Sequence, residues 1–348
     1  MKVFEHWGVE KLLTYLSLHQ KQDTPYRDIN ALFDTKKIYL FSFFAFLVGL
    51  LMTIPIIYME LEYHIFSFDT VSVWLLVGYL VVFLFFVFLE FYLLFLLGFY
   101  LLSYFIHHLV ILYNEKHTEH IQEKGFLMML VRTVMELPEP DIIRYNINHK
   151  EDKDNALLVW TLLYKLKVIM TNLVLKFVAK KAFTRTSFRL YTPYIAALGT
   201  GLWDGIVFYK TMRHSQYKLM VRLVVIYLWE QKKALLMQES YTKVLLARYF
   251  YYGEYNSNLD YLLTQIYETQ AFTYSSEAYK EEESLHKVDK NFIALLYALK
   301  EKRYTKKERE VIAMLGIKEQ ERVISKALKR GDFTYLFGVV DGVEEGLM

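Results

Sequence analysis

Residues 70–106 form one apolar stretch of 37 residues in which Glu90 is the only charged side chain. A membrane-spanning helix needs only about 20 apolar residues. No proline and no polar turn cluster interrupts the pattern as far as residue 113, which predicts one helix of about 65 Å over 70–113. Such a helix is roughly twice as long as the hydrocarbon layer is thick. We therefore expect its second half to leave the bilayer and to be covered by protein, because it is apolar on all sides.

A second apolar run predicts the partner of this helix. Residues 38–58 carry no charge and directly follow Lys36 and Lys37, whereas the short segment 59–69 contains acidic residues but no Lys or Arg. Together with residues 70–89, this run predicts a transmembrane hairpin within 36–113. Equal spans place Glu90 at the membrane border, level with Lys36 and Lys37, which we expect to pair with its carboxylate.

The distribution of basic residues predicts the topology. Lys116, Lys124 and Arg132 follow the long apolar run, and basic residues favour the cytoplasmic side. We therefore expect a multi-pass protein of a bacterial inner (cytoplasmic) membrane with both termini in the cytoplasm. A third crossing at 91–110 is the competing topology, and the same charge bias disfavours it.

Composition excludes several classes of function. The chain has no cysteine, so disulfides, thiol catalysis and cysteine-bound metals are excluded. The net charge of +3 gives no indication of a nucleic-acid partner. Residues 1–35 contain acidic side chains and no long apolar core, which predicts an amphipathic N-terminal segment rather than a signal peptide.

Residues 155–183 follow a polar linker with a short helix at 114–154 and predict a basic amphipathic helix. Its polar stripe contains Thr161, Lys165, Asn172, Lys176 and Lys180. One interpretation is a core helix of a cytoplasmic bundle with a solvated face. The other is a helix in the lipid interface, with its lysines among anionic headgroups.

Basic side chains also decide which parts of the chain we expect at the membrane surface. A lysine at the bilayer centre costs about 2.5–3.5 kcal/mol, so Lys165 and Lys167 disfavour a full crossing by 155–183. The predicted membrane-interface residues are Lys36, Lys37, Lys165, Lys176, Lys180, Arg185 and Arg189.

A helix of small residues is predicted after Thr192 and Pro193, a typical helix start. Ala197, Gly201 and Gly205 recur at intervals of four and so share one face. Small residues at this spacing allow two helix backbones to approach closely. We therefore predict helix packing at these three positions.

Asp204 is the only charged residue between 190 and 209. A buried carboxylate without a partner is costly, so we expect structural pairing. The candidate partners are Arg185, Arg189, Lys210 and Arg213. A ligand- or ion-binding role for Asp204 is the alternative.

The basic turn, proline and small-residue helix of 185–217 resemble part of the EcsC-like family of helical bacterial proteins. The resemblance covers about 30 of the 348 residues. Trp203 and Asp204 depart from the smaller or amide residues expected there. The resemblance implies membrane association and transfers no catalytic residue.

The C-terminal third predicts a soluble all-α domain over 231–348, after membrane-proximal helices over 155–230. Helical patterns cover 218–254, 258–271, 276–302, 305–315 and 318–330. Thr305 and Glu308 match a capping box, and Gly316 and Gly331 match helix ends. The glycine-containing tail 337–348 is expected to be loose or to dock on a partner.

Histidines provide the only candidate metal ligands. His107, His108, His117 and His120 lie in one cluster, with His117 and His120 on a common helix face. Membrane di-iron enzymes need several more histidines than this cluster contains. The sequence also has no phosphate-binding, dinucleotide-binding, nucleophile-elbow or zinc-protease motif. We therefore predict no cofactor.

These observations predict an all-α integral membrane protein with a hairpin anchor and a cytoplasmic helical bundle. The leading hypothesis for its function is a non-catalytic scaffold, adaptor or subunit of a membrane complex. Its expected partners are the lipid bilayer and further copies of itself or other membrane subunits. One alternative is a transport or conduction component that uses Glu90 or Asp204. The other is a lipid- or metal-dependent enzyme that uses the histidine cluster at 107–120.

Overall fold

The computed structural model describes residues 2–19, 35–62, 73–112, 124–135, 192–251, 257–269, 288–299, 304 and 306–343. These ranges form helices and contain no β-strand, which confirms the all-α prediction for the described part of the chain. The helices are α1 (Lys2–His19), α2 (Thr35–Glu62), α3 (Val73–Leu112), α4 (Lys124–Val134), α5 (Thr192–Leu236), α6 (Glu239–Tyr251), α7 (Ser257–Thr269), α8 (Lys290–Ala298), α9 (Lys306–Met314), α10 (Lys318–Arg330) and α11 (Phe333–Asp341).

Helix α3 is continuous over 40 residues, or about 60 Å. This continuity confirms the prediction of one long helix within the described range. The competing third crossing at 91–110 is wrong, because no turn separates those residues from the first half of the helix. α2 (as Thr35–Met59) and α3 (as Val73–His107) are both long and apolar enough, by length and composition, to cross a membrane.

The two halves of α3 have different surroundings. The first half exposes apolar side chains, and Trp74 is 84% exposed. The second half is largely buried from Gly98 onward, in part as expected from its composition: Phe99, Leu102 and Phe105 are completely inaccessible to solvent, whereas Tyr100 is 49% exposed. The ring of Trp7 on α1 meets the Phe99 ring edge-on at 6.0 Å.

Helix α4 covers another side of the same half of α3. A Cβ atom built at Gly98 would lie 2.6 Å from Cγ1 of Val134. A Cβ atom at Gly8 of α1 would lie equally close to Cγ1 of Val131. The missing side chains therefore let α1, α3 and α4 pack closely around one apolar core.

Helix α5 is the central helix of the structure. Its first half packs along α2, and residues 219–226 of its second half are buried among α4, α7, α10 and α11. The prediction of a helix over 218–254 separate from the small-residue helix after Pro193 is wrong. No glycine or proline interrupts α5 after Gly205, and a break at Met237 and Gln238 separates α5 from α6. The helix is distorted at Lys232 and ends at Leu236, whose carbonyl accepts a hydrogen bond of 2.9 Å from the Thr242 hydroxyl.

Helices α7, α9 and α10 begin and end close to the predicted residues, whereas α8 begins at Lys290 and not at the predicted residue 276. The Asp289 side chain caps α8 by accepting a 2.6 Å hydrogen bond from the Asn291 backbone nitrogen. Gly316 and Gly331 follow α9 and α10 with φ values of 68° and 78°, as their predicted role as helix ends requires. Glu308 is buried, whereas Thr305 and residues 276–287 lie outside the described residues.

Helix α11 corrects the expectation of a loose tail or one docked on a partner. Leu336 and Val340 are buried, and the ring of Phe337 stacks on Tyr227 of α5 at 4.1 Å. The Tyr227 hydroxyl donates a 2.9 Å hydrogen bond to Asp341. Burial, together with this hydrogen bond, raises the pKa of the Tyr227 hydroxyl above its ordinary value. The tail as far as residue 343 therefore belongs to the same core as α5.

We expect Gly331→Ala to destabilise this C-terminal core, because a side chain is strained at φ 78° by about 1–2 kcal/mol. The measurement is the thermal unfolding midpoint of the purified protein. Gly338→Ala is the matched control: Gly338 lies inside α11, and a Cβ atom there meets nothing within 4 Å. The control should be neutral or stabilising, since alanine favours helix. Equal midpoints for the two variants would contradict the role of Gly331.

Candidate functional site

The first half of α5 packs directly on the backbone of α2. A Cβ atom built at Gly201 would lie 2.7 Å from the Phe46 carbonyl oxygen, and one at Gly205 would lie 3.0 Å from that of Ser42. Ala197 lies in the same face and is 1% exposed. Gly205 follows Gly201 along α5 but contacts Ser42, which precedes Phe46 along α2, so the two helices are antiparallel. All three predicted packing residues are thus on the side of α5 that faces α2.

Gly49 of α2 provides the space for Asp204. A Cβ atom at Gly49 would collide with the Asp204 carboxylate and would lie 3.2 Å from Cα of Gly201. The Asp204 side chain therefore rests directly on the α2 backbone. Sequence analysis missed Gly49, although a lone glycine in the middle of an apolar helix is the signal that could have identified it.

The Asp204 side chain also lies next to that of Glu90 on α3. Two ionised carboxylates this close would repel each other. The junction of α2, α3 and α5 therefore joins two acidic side chains across a glycine. We call Gly49, Glu90 and Asp204 the junction site.

Two of the four predicted basic partners of Asp204, Lys210 and Arg213, lie within the described residues. Arg213 donates hydrogen bonds to the Gln216 side chain (2.9 Å) and to the Lys329 carbonyl of α10 (3.0 Å). The side chain of Lys210 is exposed, and Arg185 and Arg189 lie outside the described residues. The prediction of pairing with Arg213 is therefore wrong, because that guanidinium joins α5 to α10 instead.

The predicted position of Glu90, level with Lys36 and Lys37 of α2, is also wrong. Nζ of Lys37 lies 3.4 Å from the centre of the Tyr104 ring, and the rings of Phe41 and Tyr100 stack at 5.7 Å. These two contacts show that α2 and α3 are antiparallel. Glu90, ten residues before Tyr100, is therefore level with Leu51, ten residues after Phe41. Glu90 therefore lies near the middle of the 38–58 run rather than level with Lys36 and Lys37. The reason is that side-chain packing, not equal distance from the connecting segment, sets the register of the two helices.

Exposed apolar side chains surround the junction site on three helices, and we call this surface the apolar belt. On α2 and α3 the belt comprises Tyr39, Leu40, Phe43, Phe44, Leu51, Ile54, Tyr58, Val73, Trp74, Leu76, Val77, Leu80, Val81, Leu84, Phe85, Phe88, Tyr92 and Tyr100. On α5 it comprises Tyr194, Leu198, Leu202, Trp203 and Ile206. The two carboxyl groups of the junction site are thus placed among helices whose outer surface is apolar.

A second polar group lies inside the helical body. Arg222 of α5 is fully buried, with its guanidinium carbon 4.0 Å from the centre of the Tyr261 ring and 4.8 Å from that of Phe126. The rings belong to α7 and α4, so this arginine joins three helices. Sequence analysis missed it, although a lone arginine in the apolar run 219–229 is a visible signal.

The remaining predicted site residues are not brought together in the described part of the chain. His107 is half-buried near the end of α3, His108 is also within α3, and His117 and His120 lie outside the described residues. Among the described residues, no group of three or more histidine, aspartate or glutamate side chains could hold a metal ion. Lys165, Lys167, Lys176 and Lys180 also lie outside the described residues.

No family model matches the chain, and neither a curated protein nor a solved structure matches it. The resemblance of 185–217 to EcsC-like proteins therefore stays a prediction, and the function has to be argued from the packing alone.

Proposed function

We propose that this protein is a non-catalytic membrane scaffold or adaptor, or a subunit of a membrane complex. In this proposal α2 and α3 anchor it in a bacterial-type inner membrane, and the helical body lies on the cytoplasmic side. The observation that carries the proposal is the change of surroundings along α3, from exposed and apolar around Phe88 to fully buried at Phe99. One rigid helix therefore links a lipid-compatible surface to a protein core.

The height of the apolar belt supports membrane insertion. On α2 the belt runs from Tyr39 to Tyr58, a distance of about 29 Å along the helix. This matches the roughly 30 Å thickness of the hydrocarbon layer. Tyrosines at both ends suit the two membrane interfaces, where aromatic side chains are enriched. An exposed apolar surface of this extent is rare on soluble monomers.

The membrane part of the proposal is tested by labelling single cysteines in intact expressing cells with a membrane-impermeant maleimide. The natural chain contains no cysteine, so each variant has one labelled position. We expect Ser67→Cys, between α2 and α3, to be labelled in intact cells. We expect Lys280→Cys to be labelled only after permeabilisation. Labelling of Lys280→Cys in intact cells would overturn the proposed orientation.

The scaffold part of the proposal is tested by the mass of the detergent-solubilised protein. We expect light scattering, corrected for bound detergent, to report a mass above that of the 41.6 kDa chain or co-purification of stoichiometric subunits. A clean monomer that remains monomeric in lipid nanodiscs and retains no other subunit would contradict it.

A second candidate function is supported by the proximity of the Glu90 and Asp204 side chains. Ionisable residues within membrane helices are costly and often belong to proton or ion pathways. Two adjacent carboxyl groups beside Gly49 can take up and release a proton, as a transport or conduction path requires. This alternative uses the same hairpin but gives the junction site a chemical role.

Flux measurements in liposomes distinguish the two candidates. The scaffold proposal predicts that the wild-type protein gives no proton or cation flux above that of protein-free liposomes. If flux is present, Glu90→Gln and Asp204→Asn should abolish it in a conduction pathway, because amides cannot exchange the proton. Glu62→Gln is the matched control, since Glu62 is exposed at the end of α2. Flux lost in the first two variants and retained in the control would replace the scaffold proposal.

A further inference from the structure

We infer that the first half of α5 is a third membrane-spanning element whose outer face contacts lipid acyl chains. This inference rests on the proposed insertion of α2 and α3. The outer face consists of Tyr194, Leu198, Leu202, Trp203 and Ile206, which are all exposed. Residues 194, 198, 202 and 206 recur at intervals of four and form one stripe, roughly a quarter turn from the small residues that pack on α2.

The first half of α5 extends over the full height of the α2 belt. At one end Tyr209 stacks on Tyr39, with ring centres 5.1 Å apart and hydroxyl oxygens 3.5 Å apart. Further along, Gly201 contacts the backbone of α2 between Phe46 and Leu50. Continuing this antiparallel register for nine residues brings Thr192 level with about residue 57, at the opposite end of the belt.

Lipid is the occupant that fits the outer face of α5. The stripe contains no charged side chain and, by the register of α5 on α2, lies level with exposed residues of α2, among them Leu51 and Ile54. If these residues face acyl chains, the α5 stripe lies at the same height in the membrane. The apolar stripe also stops where α5 leaves the belt, because Lys210 is exposed on the next turn.

The position of α5 along the belt predicts on which side of the membrane the residues before Thr192 emerge. Helix α4 ends at Val134, against Gly98 in the covered half of α3, whereas Thr192 begins α5 at the far end of the belt. Val134 and Thr192 therefore lie toward opposite ends of the belt. Packing thus predicts that the residues just before Thr192 emerge on the side of segment 63–72. The basic residues Arg185 and Arg189 favour the cytoplasmic side instead, so packing and charge make opposite predictions.

The side of the membrane on which residue 187 lies is tested by labelling the single-cysteine variant Ser187→Cys in intact cells, in parallel with the variant Ser67→Cys. We expect both positions to react with the impermeant maleimide. Labelling of Ser67→Cys alone, with Ser187→Cys reacting only after permeabilisation, would overturn the third crossing and leave the hairpin intact. Absence of label at Ser67→Cys in intact cells, with reaction after permeabilisation, would overturn the hairpin and this inference together.

Lipid contact is tested with nitroxide labels on two exposed positions of the same helix. In liposomes we expect a label at Leu202→Cys to be accessible to oxygen and at least severalfold less accessible to a water-soluble nickel chelate. Ala234→Cys is the matched control on the second half of α5, where we expect ready access of the chelate. Equal chelate access at both positions would show that water, not lipid, covers the stripe and would overturn the inference.

Discussion

Gly201→Ala should lower the thermal unfolding midpoint of the detergent-solubilised protein more than any other single-methyl change on α5. The added Cβ atom would lie 2.7 Å from the Phe46 carbonyl oxygen and 3.2 Å from the Leu50 backbone nitrogen. Both neighbours are backbone atoms, so the helices must separate rather than a side chain rotate. Overpacking of this kind costs about 1–3 kcal/mol. Separation of α2 from α5 would also disturb the contact between Asp204 and Gly49.

Gly199→Ala is the matched control for this prediction. Gly199 lies two residues earlier in the same helix, and a Cβ atom there meets nothing within 4 Å. Because alanine is up to about 1 kcal/mol more favourable than glycine inside a helix, the control should raise the midpoint or leave it unchanged. The two variants have the same composition, so a difference between them reports the packing on α2. A Gly201→Ala midpoint equal to that of the control would show that α2 and α5 do not pack as described.

Arg222→Ala should be the most destabilising change in the helical body. Arg222 is completely buried between the rings of Phe126 and Tyr261. Truncating a large core side chain costs about 2–5 kcal/mol through the cavity left behind. The lost contact between the guanidinium and the two rings adds to this, at up to about 2 kcal/mol when desolvated. The measurement is the unfolding midpoint, read together with the yield of monodisperse protein.

Two further variants keep the Arg222 prediction testable if Arg222→Ala does not fold. Arg222→Lys retains the charge but loses the planar group that stacks on the rings, so we expect an intermediate loss of stability. Arg322→Ala is the matched surface control. The side chain of Arg322 is 62% exposed and lies 3.8 Å from Glu319, and such ion pairs contribute less than about 1 kcal/mol. Wild-type stability of Arg222→Lys would contradict a stacking role for Arg222.

The contacts of Gly201 and Arg222 differ in how far the sequence alone could predict them. The small-residue stripe that contains Gly201 was recognisable from its spacing alone, since residues four apart share a helix face. Its partner was not recognisable, because Phe46 and Leu50, which Gly201 contacts on α2, are more than 150 residues earlier in the chain. Arg222 was visible as a lone charge in an apolar run, but nothing local indicated that aromatic rings from α4 and α7 would enclose it.

The same distinction explains the errors on acidic residues. Glu90 and Asp204 were identified as isolated charges, and each was assigned basic partners that lie at plausible distances along the chain. The structure instead joins them to each other and leaves Lys37 over the ring of Tyr104. Glu90 and Asp204 lie on different helices, α3 and α5, and meet only after the helices have packed. Their separation along the chain therefore gave no indication of this contact.

By itself the sequence determined the helical class, the long continuous α3 and the helix ends at Gly316 and Gly331. These features depend on local properties, namely apolar length, the absence of helix-breaking residues and the backbone freedom of glycine. Only the tertiary structure decided the register of α3 on α2, the docking of α11 on α5 and the pairing within the junction site. The physical reason is that register and pairing depend on the shapes of side chains far apart in the chain, which meet only after the helices have packed.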